Sequence, residues 1–463
     1  MATVNEKPSP APTTPKKTWP GPRGNWLMGC MRPMQNDPLK FYPEMWRTYG
    51  DYVRIRIVPG MYLHYLVDPA AIEHVLLKNH KNYRKPDFFN KPVRLLAGNG
   101  IIVSEGEFWL RQRRLSQPAF LRNQVAKFGP HIVSATDTLI DEWDRAGAER
   151  TIDIVPEMMR LALRIASTSL FSTDISGEAD AIGRAFRVSF AQVSDRLNGR
   201  PTPPLWIPTR RNREFRRGKV LLDGVVLRLI ESRRRSGTPA NDVLDMLLAA
   251  QDEETGTGMT DQQLKDEVLT LLTAAHDTVG AVWSWAWHLL GQHPEIQEAL
   301  HDEAAARLAG RTPGVEDLPH LPLATAVFEE TMRLYPPAWG MPREAIGDDV
   351  VEGYPIPAKG LVTVSQLVTH RHPAFWKEPD RFDPTRFLPG AGQDRPKMAY
   401  FPFGGGPRVC IGNHFAMLEG PLVLAALAQR FRFASDPGHA VVPDATFTLR
   451  PKTGVRATVR RRP

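Results

Sequence analysis

Residues 401–419 read Phe401-Pro-Phe-Gly-Gly-Gly-Pro-Arg-Val-Cys-Ile-Gly-Asn-His-Phe-Ala-Met-Leu-Glu419, and this stretch decides how the rest of the chain is read. Three glycines and a proline force an irregular loop, Cys410 follows, and an apolar helix begins after Gly412. A cysteine at the start of a helix meets the positive end of the helix dipole and free backbone N–H groups, and both favour the thiolate. Glycines just before it let a flat, bulky partner come close to the backbone. An anionic sulfur beside such a platform is what a thiolate-ligated haem needs, because the sulfur must stay charged and its lone pairs need donors. The other cysteine, Cys30, has no such surroundings and reads as a buried, inert thiol.

Working outward, one helix is unusual. Thr260 and Gln263 form a capping box, helical composition runs on to Leu290, and Gly291 and Pro294 end it. About 30 residues at about 1.5 Å each span roughly 45 Å, the width of a domain. Its later part is strongly apolar (Val282, Trp283, Trp285, Trp287), which predicts a path through the interior, yet its middle carries His276, Asp277 and Thr278. A carboxylate and a hydroxyl in mid-helix are costly to bury unless they are paired or used. Nearer the start, Tyr52-Val-Arg-Ile-Arg-Ile57 and Tyr62-Leu-His-Tyr-Leu-Val67 predict two paired strands turned by Pro59-Gly60. From about residue 70 to 335 the pattern is mostly helical. Short strands return from about 340, including residues 360–364, and residues 446–459 predict a hairpin around Lys452-Thr-Gly454. The expected fold is mainly α with small β-sheets: a single large domain at 21–463 behind a flexible, Pro-rich tail at 1–20.

The chain has 463 residues, 42% of them hydrophobic and 24% charged, which permits a sizeable core and excludes wholesale disorder. Its 42 prolines favour many short connections between helices over a repeat or a coiled coil. Two cysteines allow no disulfide framework and no four-cysteine metal site, and they fit a reducing compartment. Lys and Arg total 59 against 51 Asp and Glu, and the excess sits in runs at Arg210, Arg211, Arg213, Arg216 and Arg217, at 233–235 and at 460–462. Neither a Cys/His finger nor an aromatic RNA-binding signature accompanies these runs, so they read as solvated basic faces with no nucleic-acid partner. The absence of a signal-peptide core and of any run of about 18 apolar residues predicts a cytoplasmic protein without a transmembrane anchor.

The cysteine segment resembles the haem-binding loop of the cytochrome P450 family. The family pattern Phe-x-x-Gly-x-Arg-x-Cys-x-Gly is matched by Phe403, Gly406, Arg408, Cys410 and Gly412, and its continuation Phe-Ala-x-x-Glu by Phe415, Ala416 and Glu419. Glu330-Thr-Met-Arg333, followed by Leu-Tyr-Pro-Pro-Ala-Trp, fits the family's Glu-x-x-Arg pair. The same spacing at Glu214/Arg217 and Glu231/Arg234 lacks that context. Pro384-Thr-Arg386-Phe387 resembles the family's Pro-Glu-Arg-Phe element, so the resemblance implies a buried, structural Glu330, Arg333 and Arg386 network. Trp109-Leu-Arg-Gln-Arg113 fits Trp-x-x-x-Arg, and the resemblance implies that Trp109, Arg113, Arg343 and Arg408 contact the haem propionates. Ala274-Ala-His-Asp277-Thr278 resembles the oxygen-activation element of a long central helix over the haem, with Ala275 where the family most often has glycine. The resemblance covers residues 35 to 460 and implies the cytochrome P450 fold with haem b, Cys410 being the axial thiolate ligand of its iron.

By that resemblance the protein is a haem-thiolate monooxygenase in which Asp277 and Thr278 are catalytic, serving proton relay and oxygen activation. The chain has no Gly-x-Gly-x-x-Gly fingerprint and no length left for a flavin reductase. A separate ferredoxin or flavodoxin with its reductase is therefore expected to supply electrons to a monomeric enzyme, with Arg111 and Arg114 as docking contacts for an acidic partner. Substrate-facing positions implied by the resemblance are Phe88, Phe89, Leu95 and Leu96, in a variable loop before Trp109, with Ala274, Ala338, Trp339, Met341 and Phe447. Nearly all are apolar, which favours hydroxylation or epoxidation of a terpenoid, fatty acid or polyketide; Arg94 reads as a solvated loop residue. Two alternatives stay open at this level. One is a peroxide-driven or isomerising haem-thiolate enzyme, against which Asp277 and Thr278 argue. The other is a basic haem sensor or nucleic-acid-binding protein, for which no motif speaks.

Overall fold

A computed structural model of the chain describes residues 17–445 and 447–463. Two compact units are built from interleaved segments: a smaller one from residues up to Pro86 with Pro342–Ser365, and a larger one from Asp87–Met341 with Gln366–Pro463.

In the smaller unit, Tyr52–Val58 and Met61–Leu66 pair antiparallel, as their alternation predicts. Gly60 makes the turn at φ +80°, a conformation that suits glycine. A five-stranded sheet follows in the order Tyr52–Val58, Met61–Leu66, Leu361–Val364, Met341–Ala345, Tyr83–Arg84. The tail expected at 1–20 lies outside the described residues as far as residue 16, but its last residues are anchored. The Trp19 indole is buried and donates to the Pro355 carbonyl (2.7 Å), and the Arg54 N–H donates to the Pro20 carbonyl (2.8 Å). A buried ring with its N–H satisfied ties the backbone down, so residues 17–20 are held rather than flexible. Cys30 is buried and its thiol is pushed up by burial, in keeping with an inert role.

The larger unit is helical. Its central helix, Asp261–Gln292, is 32 residues long and opens with the Thr260/Gln263 capping box. Trp283, Trp285 and Trp287 are all buried. The Trp283 and Trp285 indoles donate to the Gly420 and Leu449 carbonyls (3.2 and 3.1 Å), which makes burying them affordable. The helix after the cysteine, Asn413–Arg430, is buried over most of its length. Gly420 lets it approach Phe328, because a Cβ there would lie 2.4 Å from the ring. Among the described residues, no helix is long and apolar enough to cross a membrane.

One expectation is corrected here. The hairpin expected over 446–459 does not form: Leu449–Pro451 pairs with Pro443–Ala445, whereas Arg456–Arg461 pairs with Glu149–Asp153 and Phe431–Ser435. Ala457 and Val459 find a buried face only in that second sheet, and burial decides which partner a strand takes. The basic runs lie mostly at the surface, as expected, and several of their guanidinium groups pair with carboxylates there. Arg210 pairs with Glu214, Arg233 with Asp242 and Asp245, Arg234 with Asp261, Arg460 with Glu149, Arg461 with Asp144 and Arg462 with Glu298.

The expected Glu330 and Arg333 pair sits on Pro322–Leu334 with no exposed surface. Arg333 donates Nε and Nη2 to the two Glu330 oxygens at 2.6 and 2.7 Å. Its other donors reach the carbonyls of His370 (2.9 Å), Pro379 (2.6 Å) and Arg381 (3.1 Å). Arg386 Nε lies 3.5 Å from Glu330, completing the network the motif implied. Arg333→Ala strips a buried carboxylate of its partner and should cost about 3–5 kcal/mol in chemical denaturation. The double variant Glu330→Leu/Arg333→Met should lose less than the two single changes summed.

Candidate haem-thiolate site

The cysteine loop is shaped by its own backbone. Gly404 N–H donates to the Phe401 carbonyl (2.9 Å), Val409 N–H to Gly406 (3.0 Å) and Cys410 N–H to Phe403 (2.9 Å). Gly404 and Gly406 stand at φ +75° and +67°, where a side chain would strain the turn. Cys410 is exposed, yet the surrounding protein pushes its thiol up. The sulfur therefore opens onto an internal space rather than bulk solvent. The Gly412 backbone N–H, a donor of the kind expected at this position, and the Arg113 charge act against burial and favour the thiolate. Phe403 is half-buried against the core, and Gly412 precedes the helix Asn413–Arg430.

The helix Gly106–Ser116 places Trp109 and Arg113 one turn apart, on one face. Arg113 Nη1 donates to the Val409 carbonyl (3.0 Å), next to the cysteine. The Arg408 guanidinium lies 3.7 Å from the Trp109 ring centroid and donates to the Ser104 carbonyl and Glu105, both at 2.7 Å. Trp109, Arg113, Arg408 and Cys410 are thus one cluster. Arg343 belongs to the smaller unit, buried on Met341–Ala345, with Nη1 donating to the Pro342 carbonyl (2.9 Å). Arg111 and Arg114 do not form the free docking surface expected of them. Arg111 donates to Thr257 and the Gly258 carbonyl, and Arg114 bridges Asp252 and Glu254. Both are held in place by the loop before the central helix.

Midway along that helix, Ala274 is exposed and Ala275 and Thr278 are half-buried, although residues 266–273 and 279–287 are buried. The packing of the helix opens there. Thr278 Oγ1 donates to the Ala274 carbonyl (2.8 Å) and Thr273 Oγ1 to the Leu269 carbonyl (2.7 Å), bonds that loosen a helix locally. Asp277 is buried on the other side. It accepts from Thr448 Oγ1 (2.5 Å) and lies 3.5 Å from Arg450 Nη1, so its burial is compensated.

Beside Ala274 lies an apolar cavity. Val93, Leu96 and Ala97 line it from one helix, Phe190 and Val193 from Ala179–Leu197, Thr270 and Thr273 from the central helix, and Ile102 and Phe447 from connecting segments. Phe190 and Phe447 stack with centroids 5.5 Å apart. Both threonine hydroxyls donate to backbone carbonyls, so the cavity offers no free donor. Of the expected pocket residues, Leu96, Phe447 and Ala274 line it. Phe88 is 44% exposed, Phe89 and Leu95 are half-buried off the lining face, Ala338 is exposed, and Met341 packs towards Gly404. Trp339 is half-buried and accepts the Leu367 N–H at its carbonyl (3.2 Å). The segment read as a loop is in fact a helix, Asp87–Ala97, and its period selects Val93, Leu96 and Ala97. Phe190 and Val193 were missed, although their spacing from Ile182 and Phe186 marks one apolar face. Arg94 is exposed, as expected.

These residues fit a thiolate-ligated haem: a deep, accessible sulfur with donors beside it, guanidinium groups nearby, and a helix wall cleared to alanine and threonine. Among the described residues, no three His, Cys, Asp or Glu side chains gather as an alternative metal site. The sequence matches the family model for cytochrome P450 over residues 19–456. It is 36% identical to cyclooctatin synthase of Streptomyces melanosporofaciens, covering 92% of each chain. It is 34% identical to cyclooctat-9-en-7-ol 5-monooxygenase of the same organism, over 92% of this chain and 94% of that one. To pentalenene oxygenase of Streptomyces avermitilis it is 32% identical, over 91% and 93%. The solved haem domain of cytochrome P450DA shares the fold with a TM-score of 0.86 across 97% of this chain and 99% of that one, at 23% identity.

One further pair of side chains borders the cavity. Asp266 and Glu267 accept the backbone N–H groups of Asn99 (2.7 Å) and Ile101 (3.1 Å), pinning the segment that supplies Ile102. Gly98 and Gly100 permit this, since a Cβ on either would lie 2.1 Å from Asp266 or Thr270. Burial, then the Asp266 charge, pushes the Glu267 carboxyl up to about 7, against the pull of the Ile101 N–H. The fold thus favours the neutral acid: its contribution is complete below the ordinary value of 4.5 and lost as pH rises through about 7. That shift corresponds to about 3 kcal/mol. Glu267→Gln, which keeps an oxygen for Ile101, should raise the Tm relative to the parent, with a gap that widens from about pH 5 to about pH 8.

Proposed function

The chain belongs to the cytochrome P450 family and is a monooxygenase with a cysteine-ligated haem, and we propose that it hydroxylates a cyclic terpenoid hydrocarbon. The observation that carries this reading is the cavity beside Ala274, apolar on every side and without a free donor. Such a surface discriminates by shape and gives a polar head group nothing to bind. Arg450, the cation nearest its aromatic wall, stacks on Phe190 at 5.5 Å while paired with Asp277, so it is no anchor for a carboxylate. The named relatives support the same class, since their names carry alkene skeletons.

Cys410 is the proposed ligand, giving up its thiol proton on binding iron, with the Gly412 N–H and Arg113 stabilising the anion. Trp109, Arg113, Arg343 and Arg408 are proposed to hold the propionates. When bound, the haem activates dioxygen so that one oxygen atom enters a C–H bond and the other leaves as water. The chain's part in that chemistry is to deliver protons and exclude water. Thr278, half-buried at the internal space, keeps its hydroxyl proton on the Ala274 carbonyl and leaves its oxygen free to accept. Asp277 hands on protons once it exchanges Thr448 and Arg450 for water. A separate ferredoxin or flavodoxin is the proposed electron donor.

Titrating haem-loaded protein with cyclic terpene hydrocarbons and with long-chain fatty acids tests the substrate class. Terpenes should shift the haem from low to high spin and give hydroxylated products. Fatty acids that bind and turn over where terpenes do not would overturn the proposal. In Thr278→Ala, reductant consumption should persist while product per reducing equivalent falls and hydrogen peroxide rises, because loss of a group that positions the proton for transfer commonly costs about 10²–10⁴-fold in its step. Unchanged coupling would remove Thr278 from proton delivery.

A further inference from the structure

His370 is fully buried and joins the two features on which the site is built. Its carbonyl accepts from Arg333 Nη1 (2.9 Å), and its ring Nε2 takes the backbone N–H of Phe401 (3.0 Å). A backbone amide can only donate, so Nε2 is unprotonated and the ring proton is on Nδ1. Burial, then the charges of Arg333 and Arg371, hold the imidazole well below its ordinary pKa, which keeps it neutral. The rings of Tyr400 and Phe401, with centroids 5.2 and 5.3 Å away, flank it. Phe401 opens the cysteine loop: its carbonyl takes the Gly404 N–H, and two residues on the Phe403 carbonyl takes the Cys410 N–H, both at 2.9 Å. A short series of backbone bonds therefore leads from the imidazole to the residue that carries the thiol.

We infer that His370 is a positioning residue for Cys410: by accepting the Phe401 N–H, its Nε2 fixes where the cysteine loop departs from the Glu330 and Arg333 network, and so how the sulfur is presented to iron. This rests on Cys410 being the ligand. If the ring only filled space, any side chain of similar size would serve. If it acts as an acceptor, only a side chain with an acceptor at the same reach will do, because the alternative leaves a buried N–H unmet.

Glutamine and asparagine separate these cases. The Gln amide oxygen is as many bonds from the backbone as His Nε2, whereas the Asn oxygen stops one bond short. Reduced carbon monoxide spectra of haem-loaded parent, His370→Gln and His370→Asn read the ligand, and hydrogen exchange over residues 401–410 reads the loop. His370→Gln should keep the thiolate-type Soret band of the parent. His370→Asn should lose much of it to the thiol-type band, with faster exchange at Phe401, Gly404 and Cys410. If the two variants behave alike, whether both keep the band or both fail to load haem, the positioning role is overturned. A parent without the thiolate-type band would overturn the assignment of Cys410 instead.

Discussion

Burying the Arg333 guanidinium without any exposed surface commits the protein to satisfying five N–H donors in a dry interior. Glu330 supplies both its carboxylate oxygens, and the remaining donors must find backbone carbonyls. Those of His370, Pro379 and Arg381 lie in one stretch of chain, which is wrapped around the charge as a consequence. Arg386 and the Asp383 N–H close on the same glutamate. An ion pair buried in this way adds little net stability, but it penalises every arrangement that leaves one donor unmet. What it contributes here is position: the stretch it organises runs directly into the cysteine loop.

From that fixed point the loop's glycines and the central helix determine the chemistry. Gly404 and Gly406 bend the backbone that carries Cys410, and the central helix is open at Ala274 and Thr278. Asp277, one residue earlier, points the other way and is held by Thr448 and Arg450. Those two residues follow Phe447, which lines the cavity, and Arg450 stacks on Phe190, which lines it too. The apolar lining of the cavity and the partners that hold the Asp277 carboxylate are therefore adjacent parts of one short segment.

Many of the surface charges of this protein are paired with one another. A net charge of +8 invites a reading in terms of polyanionic partners, yet the arginine runs largely fold back onto carboxylates of neighbouring elements. Arg111 and Arg114 show why composition misleads. Both stand on the helix that carries Trp109 and Arg113, but their guanidinium groups are engaged by Thr257, Asp252 and Glu254. A charge already paired offers an incoming protein little, since the existing contact would have to be broken first.

The sequence by itself determined whatever depends on local chemistry. Glycines before a cysteine, and a threonine and glutamine three apart, each specify their own geometry within a few residues. The cysteine loop and the boundaries of the central helix were therefore legible, whereas the Glu330 and Arg333 pair was singled out by the family resemblance, because its spacing recurs at Glu214/Arg217 and Glu231/Arg234. Tertiary structure decided whatever depends on a distant partner. Residues 449–461 split between two sheets because Glu149–Asp153 and Phe431–Ser435 bury Ala457 and Val459 better than a hairpin would. Residues 87–97 coil into a helix because Val93, Leu96 and Ala97 share a face against the cavity, and Phe190 completes that cavity from a helix far away in the chain. Burial and hydrogen-bond satisfaction are properties of the assembled core, and no local pattern contains the partner that supplies them.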